Sequence, residues 1–144
     1  MIEQLRSIVE QSAPATALAK LLGFRLTAVE IGAAVVEMQT GPEHANLFGG
    51  VHGGVLCSLV DSAMGIAHAS TLGDGETFTT IDLQISFLRG VKIAHLTARG
   101  RIIKHGRNVS FAESEVQDDA GRVIAKASCT CLTIRHHGHA YPPR

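Results

Sequence analysis

Apolar side chains recur at helical spacing near the start of the chain. In residues 2–11 they fall three and four positions apart, which predicts a short amphipathic helix that ends before Pro14. Residues 15–22 predict a second short helix, and Gly23 stands in the usual position for ending it. The next segment, residues 24–40, alternates loosely and is rich in β-branched side chains, so it predicts two strands joined by a turn.

The longest helical segment runs from Gly53 to about Ser70. Its apolar residues cover almost the whole circumference of a helix, which predicts burial on all sides: Val55, Leu56, Leu59, Val60, Ala63, Met64 and Ala67. Asp61 is the only charged residue in this segment. Because burying an ionised carboxylate is costly unless it is compensated, Asp61 must reach the surface, be paired, or serve in chemistry.

Beyond the helix the pattern changes to strict alternation. Four apolar side chains are predicted to face one way, Ile81, Leu83, Ile85 and Phe87. The residues between them are predicted to face the other way, Thr80, Asp82, Gln84 and Ser86. Turn-rich sequences then separate three further predicted strands, at residues 93–103, 109–117 and 122–134.

One long buried helix followed by four strands, with an earlier hairpin before it, predicts an α+β fold. We expect a strongly curved antiparallel sheet wrapped around a central helix. We assign residues 1–135 to a single domain with short N-terminal helices. Residues 136–144 have no periodicity, and we interpret this histidine-containing segment as a flexible tail without a metal site.

Composition excludes several classes of function. The 144 residues carry 13 basic and 13 acidic side chains and no tryptophan, which disfavours nucleic-acid binding. The first residues lack the apolar core of a signal peptide, and no apolar run has the length of a membrane span. We therefore expect a soluble cytoplasmic protein. An odd number of cysteines, three, argues against a disulfide framework, and we expect Cys129 and Cys131 to be small core residues.

The start of the long helix and its one carboxylate are candidates for chemistry. The first N–H groups of a helix have no partner within it, so Gly53 could donate to a developing oxyanion, or the two glycines could simply form a tight junction. Asp61 could act as a base, or be a structural residue satisfied by Ser58 or Ser62. Eight residues separate Gly53 and Asp61, about 12 Å along a helix. Both can act on one bond only if two copies of the chain meet.

The other candidate residues can be interpreted either as ligand-binding or as purely structural. His52 could bind substrate or steady its loop, and Asn46 could do the same or satisfy a turn. Between Leu83 and Ala112 the chain has six basic residues and no acidic ones: Arg89, Lys92, Arg99, Arg101, Lys104 and Arg107. This set suits a nucleotide phosphate, or it protects an ordinary sheet edge.

Taken together, the motifs Asn46-x5-His52-Gly53-Gly54-x6-Asp61 and Thr80-x-Asp82-Leu83-x3-Phe87-Leu88 resemble the hot-dog-fold acyl-CoA thioesterases. The nearest type is the phenylacetate-degradation (PaaI-like) group, and the resemblance covers roughly residues 20–134.

The resemblance implies a role for each residue of the motifs. It implies that Asp61 is the general base or nucleophile and that the Gly53 N–H polarises the thioester carbonyl. It further implies supporting roles for Asn46 near the carbonyl, His52 in the loop and Thr80 beside the water. The sites would lie between two subunits of a homodimer, and dimers would pair into a homotetramer. No cofactor is implied, since coenzyme A is part of the substrate.

The resemblance also implies a ligand for the basic residues. We expect Arg89, Lys104 and Arg107 to meet the phosphates of coenzyme A. Our main hypothesis is hydrolysis of a small or medium acyl- or aryl-CoA thioester. The alternative is a hot-dog protein that binds acyl-CoA as a sensor without catalysis. A dehydratase is disfavoured. Dehydratases of this fold usually have a different arrangement of Asp and His in the loop and helix, and the chain lacks it.

Overall fold

The computed structural model describes residues 1–135 and confirms the α+β architecture. The expected tail, residues 136–144, lies outside the described residues. Three helices and six strands follow one another as α1 (Ile2–Gln11), α2 (Ala17–Leu22), β1 (Phe24–Glu30), β2 (Ala33–Gln39), α3 (Gly53–Ala69), β3 (Glu76–Phe87), β4 (His95–His105), β5 (Val109–Asp118) and β6 (Val123–Arg135). A short 3-10 turn, Pro42–His44, lies in the loop before α3.

The strands form one antiparallel sheet in the order β1-β2-β4-β5-β6-β3. Although β3 and β4 are consecutive in the chain, they are not neighbours, because β3 pairs with β6 and becomes an edge strand. The helix α3 packs across β2, β4 and β5. Its inward side chains are fully buried against the sheet: Leu59, Val60, Ala63 and Met64. This contact forms the centre of the core.

The expected burial of α3 on all sides is only partly met within one chain. From Ala63 onward nearly every residue is buried, with Ile66 partly exposed. Over the first half of the helix, one side remains partly exposed, including Val55, Cys57 and Asp61. The apolar pattern therefore includes a surface that the other residues of 1–135 do not cover.

The predicted alternation in β3 is wrong at one point. Between Thr80 and Asp82 the pairing with β6 shifts by one residue, so Ile81 is the extra residue of a β-bulge. Thr80 consequently faces α3, whereas Ile81 is 57% exposed. Strict alternation predicts the reverse, with Ile81 facing inward and Thr80 facing outward.

Gly100 in β4 provides the space for the closest approach of α3 to the sheet. A Cβ at this position would overlap the Ala63 carbonyl and lie 2.7 Å from the Met64 nitrogen. We expect Gly100→Ala to lower the free energy of unfolding by about 2–3 kcal/mol, because backbone atoms cannot move aside as a side chain can. Urea unfolding would measure this loss. Gly90→Ala is the matched control, since a Cβ there meets nothing within 4 Å, and an equal loss in both variants would contradict the explanation.

A buried histidine lies at the far end of α3. The His68 Nε2 is 3.1 Å from the Thr133 hydroxyl, and its ring meets Phe78 edge-on with centroids 5.1 Å apart. Burial and the neighbouring His105 lower the pKa of His68, while Glu76 acts in the opposite direction. The folded protein therefore keeps His68 neutral at pH values where the unfolded chain binds a proton.

This difference gives stability a definite dependence on pH. His68 contributes stability above its unfolded pKa of about 6.5, and this contribution is lost as pH falls towards its lower folded pKa. Unfolding midpoints measured from about pH 7.5 to about pH 5.5 should fall in the wild type and change less in His68→Gln, whose amide does not titrate. The same slope in both proteins would show that another group causes the dependence.

Candidate active site

Asp61 lies on the partly exposed side of α3 and faces β3. The Thr80 hydroxyl donates to Asp61 Oδ1 at 3.0 Å, and no other group in residues 1–135 donates to this carboxylate. The expected local partners are not used, because Ser58 donates to the Gly54 carbonyl at 3.0 Å and Ser62 makes no bond to Asp61. One carboxylate oxygen is thus fixed by Thr80, and the other remains available.

An open cavity of about 350 Å³ adjoins this pair. Its walls come from α3 and β3 and consist of Cys57, Ser58, Asp61, Thr80, Ile81, Asp82 and Leu83. The cavity therefore contains a carboxylate, hydroxyl groups and apolar surface together. Such a combination can hold a polar reacting centre beside an apolar group.

The first turn of α3 presents a backbone donor that has no partner in residues 1–135. His52 is the N-cap, and its Nδ1 accepts from the Gly54 N–H at 2.9 Å. The Val55 N–H donates to the His52 carbonyl at 3.0 Å. The Gly53 N–H has no acceptor among the described residues, so it can serve a ligand. A Cβ at Gly53 would lie 3.0 Å from the Phe87 ring, so Gly53 lies beside the end of β3.

Asn46 organises the loop that leads to α3. Its Oδ1 accepts from the Phe48 N–H at 2.9 Å and from the Gly50 N–H at 3.2 Å. Its side-chain NH₂ group donates to no residue in the described chain, which leaves it available to a ligand. Leu47 and Phe48 at the tip of this loop are almost fully exposed.

His44, which lies outside the motifs, also holds the loop before α3 in place. His44 is buried, its Nδ1 accepts from the Gly41 N–H at 2.9 Å, and its Nε2 lies 3.2 Å from the Leu22 carbonyl. Its own carbonyl accepts from the His52 N–H at 2.8 Å. His44 therefore ties the loop before α3 to α2. Sequence spacing gave no signal for this contact, because Leu22 lies 22 residues away.

The candidate residues fall into two groups within one chain. Gly53 lies beside Phe87, where β3 ends, whereas Asp61 lies two turns along α3 beside Thr80. A single chain does not bring the free N–H and the carboxylate to one point, as the helical spacing predicts.

The basic candidates are also divided between two ends of the sheet. Arg89 follows β3 at the end where α3 begins. Lys104 and Arg107 lie at the hairpin between β4 and β5, and this hairpin adjoins the last residues of β6 at the opposite end. One chain alone therefore does not place these three side chains around one phosphate group.

The two buried cysteines, Cys129 and Cys131, lie on β6 beside the Asp61–Thr80 pair. Cys131 pairs with Thr80 across β3 and β6, and the sulfur atoms of Cys129 and Cys131 are 3.7 Å apart. Their expected core position is confirmed, since both are fully buried. The contact with Cys131, together with burial, raises the pKa of Cys129, so this side chain stays a neutral thiol.

Two features are absent from the described residues. Within residues 1–135 no three histidine, cysteine or acidic side chains are grouped as metal ligands. In the same part of the chain, no helix is long and apolar enough to cross a membrane.

Comparison with known proteins identifies relatives of the whole domain. The family model described as the thioesterase superfamily matches residues 48–125. A protein of Saccharolobus solfataricus, named only provisionally as an esterase, is 32% identical over 135 residues, covering 94% of this chain and 96% of the relative. Acyl-coenzyme A thioesterase 13 of Homo sapiens is 26% identical over 133 residues, covering 90% and 94%.

A solved structure shares the fold along nearly its full length. The E. coli PaaI protein from the phenylacetic acid degradation operon superposes with a TM-score of 0.82 at 25% identity, covering 92% of this chain and 95% of that one. The matched family segment contains Gly53, Asp61 and Thr80 but begins after Asn46.

Proposed function

The chain belongs to the thioesterase superfamily and is a thioester hydrolase, and we propose that its substrate is a small or medium acyl- or aryl-coenzyme A thioester. The observation that carries this proposal is the Asp61–Thr80 pair at an open cavity, together with a free N–H at the start of the same helix. The human relative named as an acyl-coenzyme A thioesterase supports coenzyme A as the thiol portion.

We propose that the complete site forms between two protomers. A two-fold dimer with antiparallel α3 helices would bring the Gly53 of one protomer to the Asp61 of the other and would form two equivalent sites. Two features of the single chain support this arrangement. The first half of α3 has an uncovered side, and the 12-residue strand β3 has no strand partner on its outer edge among residues 1–135. Pairing of such dimers would give the proposed homotetramer.

In this site Asp61 would act on water as a general base or attack the thioester carbonyl as a nucleophile. Thr80 fixes one oxygen of the carboxylate, and the other remains available at the cavity that Asp61 lines. The Gly53 N–H would donate to the carbonyl oxygen and stabilise the negative charge that develops on it. His52 supports this donor by accepting from the Gly54 N–H, and the free NH₂ group of Asn46 provides a second donor near the carbonyl.

The basic residues have separate positions in this proposal. Arg89 lies at the same end of the chain as Gly53 and would meet a phosphate of the coenzyme A whose thioester is bound there. Lys104 and Arg107 would reach the same ligand only from another subunit. The side chains of all three make no ion pair within the described residues, so each is available to an anion.

The experiment that tests the function is a panel of alkyl- and aryl-CoA thioesters with release of free thiol as the readout. We expect turnover with at least one member of the panel and a kcat/KM that varies with the acyl group. Calorimetric titration with the same compounds provides the contrast. Tight binding without release of thiol would contradict hydrolysis and would indicate the sensor alternative.

A further inference from the structure

We propose that Asp82 is a positioning residue that fixes the β3 bulge and thereby directs Thr80 towards Asp61. This inference rests on the proposed function, because Thr80 matters for turnover only if Asp61 is catalytic. It concerns a residue that lines the same cavity as the Asp61–Thr80 pair but whose carboxylate bonds to β6.

The apolar side chains of β3 require a bulge somewhere in its middle. Phe78 faces α3 before the irregularity, and Leu83 and Ile85 face it afterwards. Phe78 and Leu83 are five residues apart, an odd spacing, so in a regular strand they would face opposite sides. One extra residue between them resolves this conflict.

The position of the extra residue decides which side chain faces the helix. A bulge placed before Thr80 would turn Ile81 inward and Thr80 outward, and within a single chain the hydrophobic effect favours that arrangement. The observed bulge at Ile81 does the reverse, leaving Ile81 57% exposed and Thr80 bonded to Asp61. The Thr80–Asp61 bond is one polar interaction that favours the bulge at Ile81, and the bonds made by Asp82 are a second.

Asp82 supplies that interaction directly after the bulge. Its Oδ1 accepts from the Thr130 N–H at 3.1 Å, and its Oδ2 accepts from the Thr130 hydroxyl at 3.2 Å. A peptide N–H at a break in a ladder needs another acceptor, and this carboxylate provides one. Thr130 is also the residue of β6 that pairs with Asp82, so both bonds mark the point where regular pairing resumes.

The test compares Asp82→Ala, Thr80→Ala and the double variant by thiol release. We expect each single variant to lose about tenfold in kcat, the value of one hydrogen bond of ordinary strength, with little change in KM. We expect the double variant to be no slower than Thr80→Ala, because Asp82 acts through Thr80. A further tenfold loss in the double variant would show that Asp82 acts independently and would overturn the inference.

Two other variants separate positioning from a direct charge effect. Asp82→Asn keeps an oxygen acceptor for the Thr130 N–H and should recover most of the activity. Thr130→Val keeps that N–H bond, removes only the hydroxyl and should have a smaller effect than Asp82→Ala. If Asp82→Asn is as slow as Asp82→Ala while the Thr130 amide stays protected from hydrogen exchange, the carboxylate acts on the reaction itself and the inference is wrong.

Hydrogen exchange also separates this inference from the proposed function. In Asp82→Ala the Thr130 amide should lose protection, whereas Asp74→Ala, at an exposed position, should leave it unchanged. A wild type that binds acyl-CoA without turnover would contradict the proposed function alone. Unchanged protection in Asp82→Ala would contradict the role of Asp82 even if the wild type is active.

Discussion

Asp61→Asn is expected to lower kcat for thioester hydrolysis by about 10³-fold while the fold and the assembly remain intact, in line with the contribution of a positioned acid or base. The substitution removes the negative charge and the basicity but retains the shape of the side chain. The asparagine Oδ1 can still accept from the Thr80 hydroxyl, so the contact between α3 and β3 persists. Substrate binding should change little, because the thioester does not depend on this charge for its affinity.

The measurement is thiol release under saturating substrate, with the assembly checked by light scattering. Asp74→Asn is the matched control, since Asp74 is exposed and lies in the loop between α3 and β3. We expect the control to keep the wild-type rate. Asp61→Asn with a rate close to the wild type would mean that another group activates the water, and the assignment of Asp61 would be wrong.

Gly53→Pro is expected to lower kcat by about 10²-fold or more, the effect of removing one oxyanion donor. Proline removes the N–H and is well tolerated at the first position of a helix. The preceding residue is also compatible, because His52 has φ −64° and ψ 133°, the extended conformation that a following proline requires. The helix should therefore survive the loss of its free donor.

Gly53→Ala separates the lost donor from the added bulk. Both variants place a Cβ about 3.0 Å from the Phe87 ring, but alanine retains the N–H. Because Phe87 is half exposed, its ring can move aside, and we expect Gly53→Ala to keep most of the activity. If both variants lose the same factor, crowding at Phe87 rather than the missing donor explains the effect.

The sequence predicted the helices and strands well because local patterns determine them. The apolar run from Gly53 and the glycine after α2 were sufficient to place both helices within a few residues. The distance between Gly53 and Asp61 followed from helical geometry alone, and the structure confirms that one chain keeps them apart. These predictions needed no knowledge of which strands are neighbours.

The remaining features depend on contacts between distant residues. The bulge at Ile81 was not predicted, because the alternating pattern favours Ile81 facing inward and only the contacts to Asp61 and Thr130 reveal otherwise. Likewise, the basic residues looked like one group along the chain. The antiparallel pairing of β4 with β5 and of β6 with β3 separates Arg89 from Lys104 and Arg107.

The most direct test of the shared site mixes two inactive proteins, Asp61→Asn and Gly53→Pro, by unfolding and refolding them together. If each site takes Gly53 from one protomer and Asp61 from the other, every mixed dimer contains one intact site and one doubly altered site. Random pairing then predicts about a quarter of the wild-type activity, far above either parent. A mixture no more active than its parents, although mixed dimers have formed, would show that each chain works with its own residues and would contradict the account.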